Sequence, residues 1–249
     1  MRKINLIPMA GNGKRFLDGG YIIPKPLIKI NGIPMFVHAA KALPKADLFI
    51  FICLKSHVIN FKIDKVIKSF FSKSKIIILD KKTNGQAVTC LQAEKLLKKD
   101  DILTIGACDN GMYYSQKKID NKIDKSDLVI WTFKSNKIVS KNPQMYGYIR
   151  TKKLDNAILV SCKKTISKFP GNDHTIIGAF SFKKAETFLK YTKLLIKKNE
   201  KINKEFYLDS VASLCISSGL KVKVNLVKKY IGWGTPKDFM DYKKIKSKK

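Results

Sequence analysis

Long apolar runs are missing from this 249-residue chain. The longest, LFIFICL at 48–54, is strand-sized and far short of the roughly 18–20 residues that a membrane span needs. The N-terminus has no apolar stretch leading to a small-residue cleavage site, so the expectation is a cytoplasmic protein. Cysteine is sparse, odd in number and without a CxxC pair (Cys53, Cys90, Cys108, Cys162, Cys215), which argues against a disulfide framework or a zinc site. With only His38, His57 and His174 besides, a nitrogen and sulfur metal cluster is not expected. Arginine is nearly absent too: Arg2, Arg15 and Arg150 are the whole set. The net charge of +31 is therefore almost all lysine, which lacks the planar fork that grips phosphates and bases bidentately. The lysines scatter as KK and KSK along the chain, so a solvated cationic surface is preferred over a dedicated nucleic-acid site; a general attraction for anionic substrates holds in either case. The lysine-rich nucleic-acid-binding module is kept as an alternative from another class.

What is present is a set of short β-branched runs bounded by turn residues, at 4–8, 47–54, 75–80, 101–106, 127–133, 156–161, 175–182 and 221–227. These read as strands, most of them buried on both faces. Helical patterns fall near 34–43, 58–71, 86–98, 183–198, 206–218 and 235–245. Strand alternating with helix predicts an α/β fold with a doubly wound, mostly parallel mixed sheet and helices on both faces. No linker or repeat interrupts it, so one domain is expected over 1–249, with a nucleotide-binding half at about 1–112 and an acceptor-binding half at about 113–249. Ligands of such sheets sit at the carboxyl ends of the strands, where the loop after the first strand lies.

That loop reads MAGNGKRFLDGGYIIPKPL, residues 9–27. A P-loop needs GxxxxGK followed by Ser or Thr, and here one residue separates Gly11 from Gly13. A dinucleotide fingerprint needs a third glycine running into a helix, where this chain has Phe16 and what reads as a polar loop. There remains a loop of exposed N–H groups carrying Lys14 and Arg15, then a lysine, Lys25, held between two prolines that restrict its backbone. Asp109 follows a buried strand, where a carboxylate is costly unless paired or metal-bound; a helix cap or Asx turn is the plainer alternative. His38, on an apolar helix face, reads as a packed core histidine.

The stretch resembles the GxGxRF…PKPL signature of sugar-phosphate nucleotidyltransferases, which have a GT-A-like, Rossmann-like fold. Six further segments match that family in order: TNGQAVTCLQA (83–93), GACDNGM (106–112), YGYIR (146–150), SCKKTIS (161–167), IIGAFSF (176–182) and WGTPKDF (233–239), the last close to a WGTP ending frequent in small capsule and lipopolysaccharide members. The resemblance implies attack of a phosphorylated sugar or small phosphorylated acceptor on the α-phosphorus of a nucleoside triphosphate (CTP, UTP or dTTP), with release of pyrophosphate and an activated product for surface polysaccharide. It implies that Ala10, Gly11, Gly13 and Lys14 cradle the triphosphate, that Arg15 grips its β/γ-phosphates, and that Lys25 binds the attacking phosphate or the α-phosphate. By the same resemblance Gly85 and Gln86 contact the base, and Asp109 holds Mg²⁺. Tyr146 and Gly147 line the acceptor pocket, and either Lys163 or Lys164 takes the acceptor phosphate. One departure stands out. Gly232 occupies the position at which hexose-1-phosphate members carry a second metal-binding aspartate; Asp209 is a candidate to approach the metal instead. A GT-A glycosyltransferase shares the fold, but the chain has CDNG where a DxD metal motif is required.

Overall fold

The computed structural model describes residues 1–153 and 155–246, with main chain alone for 244–246. The end of the lysine-rich tail KKIKSKK, residues 247–249, lies outside the described residues. The first half runs β1 (Lys3–Pro8), α1 (Lys14–Asp18), β2 (Lys29–Ile30), β3 (Ile33–Pro34), α2 (Met35–Lys41), β4 (Leu48–Leu54), α3 (Lys55–Phe61), α4 (Ile63–Phe70), β5 (Lys75–Leu79), α5 (Gln86–Leu91), β6 (Ile102–Ile105) and β7 (Asn110–Tyr113). The second half adds α6 (Gln116–Asp124), β8 (Leu128–Phe133), α7 (Asn136–Val139), β9 (Tyr148–Lys152), β10 (Asn156–Ser161), β11 (His174–Phe182), α8 (Ala185–Lys198), α9 (Leu208–Ser217), β12 (Val222–Leu226), β13 (Lys229–Gly232) and α10 (Pro236–Lys246).

Among the described residues the main sheet has nine strands, in the order β5-β4-β1-β6-β11-β8-β12-β10-β9. The first four are mutually parallel, and β8 pairs parallel with β12. Strand β11 runs against both β6 and β8, and β9 and β10 pair antiparallel at the far edge. The chain leaves β1 in one direction to β4 and β5, then crosses back to β6 on the other side. The loops after β1 and β6 therefore flank the point where the winding reverses, the usual place for a ligand.

Alternation explains the burial. Ile50, Ile52 and Leu54 of β4 pack in one apolar layer with α5, α8 and α9, whereas Phe51 and Cys53 pack in the other with α2, α4 and α6. Expected strands match the observed ones to within a residue, but the outer ones, β5 and β10, are only partly buried, because no helix or sheet covers both their faces. Three helical expectations need correction. The 58–71 helix is two, broken at Lys62 in the left-handed region (φ 51°). The 86–98 helix ends at Leu91 and resumes as a short 3₁₀ turn, Glu94–Leu96. A five-residue helix, α1, follows Gly13 where a polar loop was expected. It forms because Phe16 finds a third apolar cluster, with Ile28, Ile30, Met35, Ala39, Trp233 and Phe239. Phe16 and Tyr21 both meet Phe239 edge-on, at 6.4 and 6.3 Å. The first and last motifs of the sequence thus share one small core.

Candidate active site

Two cavities open at the carboxyl ends of β1 and β6. The first, about 530 Å³, lies between the loop after β1 and the start of α5, and its walls include Ala10, Gly11, Gly13, Lys14, Lys25, Gly85, Gln86 and Asp109. The second, about 230 Å³, is walled by Arg15, Gln86, Asp109, Tyr146, Gly147 and Lys163, among others. Gln86, Ala107 and Asp109 belong to both, so Asp109 stands where the two spaces meet.

The sequence brings Asp109 there in a defined way. Its carbonyl accepts from Trp233 N (2.8 Å), and the neighbouring β7 pairs antiparallel with β13, so the C-terminal segment fastens the strand that follows it. Lys25 arrives through its proline frame: Pro24 is extended, and Lys25–Leu27 turn as a 3₁₀ element. Its ammonium donates to Asp109 Oδ2 at 2.6 Å, both side chains being about one-fifth exposed. Burial works against the Lys25 charge, but the Asp109 carboxylate outweighs it and raises the pKa. Two residues that are 84 apart in the chain form one ion pair at the junction.

Other candidates fall into place or outside. Lys14 lines the first cavity and Arg15 the second, so successive cations of α1 serve different spaces, and Arg15 lies away from the glycine-loop cavity in which it was expected to grip the β/γ-phosphates. Lys163 lines the second cavity, donates to the Met145 carbonyl and lies 5.7 Å over the Tyr207 ring. Lys164 is exposed and lines neither cavity. Gly85 has a packing requirement of its own: at φ 117° a Cβ would stand 2.5 Å from the Phe206 backbone. That contact is a backbone clasp, with Phe206 N donating to Asn84 O (2.8 Å) and Ala87 N to Phe206 O (3.0 Å). His38 donates to the Ile30 carbonyl at 2.9 Å, which suits the packing role expected for it.

Several lining residues carried no readable signal, Glu205 in the first cavity and Tyr207 and Tyr230 in the second among them. Asp238, also in the second cavity, was detectable as the fourth member of T-x-x-D: Thr235 Oγ1 donates to Asp238 Oδ2 (2.7 Å) and accepts from Asp238 N (3.1 Å), an N-cap at the start of α10. At Gly232 a Cβ would meet the Tyr230 hydroxyl at 3.0 Å. Tyr230 stacks on Phe133 (4.2 Å), so the space for a side chain at 232 is already occupied. Asp209 lines the second cavity from the first turn of α9. Burial pushes its carboxyl up to about 6, against the opposing pull of Lys163 and of a hydrogen bond from the Cys162 thiol. Strand β11 breaks register with β8 between Ile176 and Phe180, and the irregular stretch forms part of the same wall.

No protein-family model matches the chain, and no curated protein matches its sequence. Solved structures do match over essentially full length. A nucleoside-diphosphate-sugar pyrophosphorylase from Vibrio cholerae RC9 has a TM-score of 0.78 at 20% identity, covering 96% of this chain and 98% of that one. A UDP-glucose pyrophosphorylase complexed with UDP-glucose scores 0.76 at 16% identity, covering 100% and 99%. The inositol-1-phosphate CTP transferase from T. maritima scores 0.73 at 12% identity, covering 96% and 91%. The fold is shared with these structures: a mixed α/β sheet with helices on both faces.

Proposed function

We propose that the chain is a nucleotidyltransferase that joins a nucleoside triphosphate to a phosphorylated sugar or small phosphorylated acceptor and releases pyrophosphate. The observation that carries this reading is the Lys25–Asp109 pair at the junction of a large and a small cavity. A triphosphate suits the larger, with its glycine loop and Lys14; an acceptor suits the smaller, with Arg15 and Lys163. An acceptor phosphate oxygen attacks the α-phosphorus, a new P–O bond forms, and the bond to the β-phosphate bridging oxygen breaks as pyrophosphate leaves. The attacking phosphate is already ionised near neutral pH, so the reaction needs charge neutralisation and alignment more than a general base. Lys25 offsets repulsion between the two anions, and Arg15 and Lys163 hold the acceptor from either side.

The donor set suits a Mg²⁺ that arrives with the nucleotide. Asp109 offers a single carboxylate, and among the described residues no group of three or more His, Cys, Asp or Glu gathers to hold an ion. Bound there, the ion would neutralise phosphate charge. The similar structures act, by their names, on nucleotide sugars or inositol 1-phosphate, and the WGTPKDF ending supports a product destined for surface polysaccharide. The nucleic-acid-binding alternative has no supporting feature at this site. Incubation with CTP, UTP or dTTP, Mg²⁺ and a panel of sugar phosphates is expected to release pyrophosphate. A nucleotide at about 100-fold its Kd should also stabilise the fold by roughly 2.7 kcal/mol. The absence of both pyrophosphate release and a thermal shift with every nucleotide would refute the reading.

A further inference from the structure

The second cavity contains a carboxylate that the reaction above leaves unused. Asp209 Oδ2 rests against the bare backbone of Gly147, where a Cβ would stand 2.1 Å away. Its polar neighbours include the Cys162 thiol, a weak donor, and an ionised carboxylate has about four lone-pair positions to fill. Lys163, the nearby cation, is engaged with the Met145 carbonyl and the Tyr207 ring. Asp209 lines the second cavity, of about 230 Å³, beside Gly147 and Lys163, and also borders a separate one of about 210 Å³ with Cys162 and Ser213.

We propose that Asp209 reads the acceptor, accepting hydrogen bonds from hydroxyl groups on the part remote from its phosphate, and that Gly147 is bare so the carboxylate can stand at the cavity wall. Hydroxyls fit better than an ammonium. Lys163 already supplies positive charge beside Asp209, and Arg15 lines the same small space, so a further cation would meet like charges at short range. The other two carboxylates there are occupied: Asp109 by Lys25 and Asp238 by Thr235. The assignment rests on the nucleotidyl-transfer reading.

The test compares wild type, Asp209→Asn and Gly147→Ala by pyrophosphate release. Acceptors are hydroxyl-bearing phosphates (glucose 1-phosphate, myo-inositol 1-phosphate, glycerol 3-phosphate), phosphoethanolamine and ethyl phosphate. Wild type is expected to prefer a hydroxyl-bearing acceptor. Both variants should raise its KM by about tenfold or more, the loss of a hydrogen bond to a charged group, and should raise the KM for ethyl phosphate, which offers no hydroxyl to Asp209, by much less. In Gly147→Ala the added methyl would displace Asp209 Oδ2 and press on Ile176, so Asp209→Asn is the variant that isolates the carboxylate. Equal acceptor KM values in wild type and Asp209→Asn, or a wild-type preference for phosphoethanolamine, would overturn the assignment alone. No pyrophosphate from wild type with any acceptor would overturn the underlying reaction as well.

Discussion

Asp109 and Lys25 neutralise each other at close range, largely shielded from water, and that makes each sensitive to loss of the other. Asp109→Ala leaves an ammonium in a desolvated position without its partner. We expect transfer to fall at least ~100-fold, in line with removal of a preorganised charge from a reacting site, and the melting temperature in the absence of nucleotide to fall as well. Asp209 behaves in the opposite sense. Its folded pKa, about 6, lies above the unfolded value near 3.8, so the native state binds the extra proton between those values and stability declines as pH rises through that window. Asp209→Asn is expected to melt higher than wild type at pH 8, by on the order of 1 kcal/mol after allowance for partial exposure. The gain should vanish near pH 4. A variant that is no more stable at pH 8 would show that the carboxylate costs the fold nothing.

At the level of elements, α1 and α10 depend on each other through Phe16, Tyr21 and Phe239. Phe239 is almost fully buried, and Phe239→Ala is expected to cost about 3–5 kcal/mol. Because α1 carries Lys14 and Arg15, the same change should weaken nucleotide affinity, measurable by titration calorimetry below the melting point. Gly85→Ala has no such remedy by relaxation: both the positive φ and the Phe206 backbone oppose a side chain, and a loss of at least ~2 kcal/mol is expected in denaturant unfolding. The strands of the main sheet were legible because their β-branched runs are long and buried. The elements missed are short or weakly apolar: β2 and β3 have two residues each, and α6 presents Ile119 and Ile123 on an otherwise polar helix. No glycine or proline marks the break at Lys62, so periodicity alone runs through it. Within the site, residues grouped by local motif were readable. Lys25 with Asp109, Gly147 with Asp209 and Gly85 with Phe206 were not, because each pair is joined only by the tertiary fold.

For the whole molecule, the surplus of lysine acts at a distance. With a net charge of +31 and a Debye length of about 10 Å at 0.1 M salt, anionic substrates are drawn in more strongly at low ionic strength. Raising salt from about 50 to 500 mM should increase the KM for the nucleotide several-fold with little change in kcat, in steady-state assays. Among the described residues no helix is long and apolar enough to cross a membrane. Beyond charge, the stretch Glu205–Asp209 ties the two cavities together: Glu205 borders the first, Phe206 clasps the loop at Gly85, and Tyr207 and Asp209 border the second. One short stretch of chain therefore contributes to the walls of both chambers. A substitution that shifts it, such as Phe206→Ala, is expected to weaken binding in both, which separate titrations of nucleotide and acceptor would reveal.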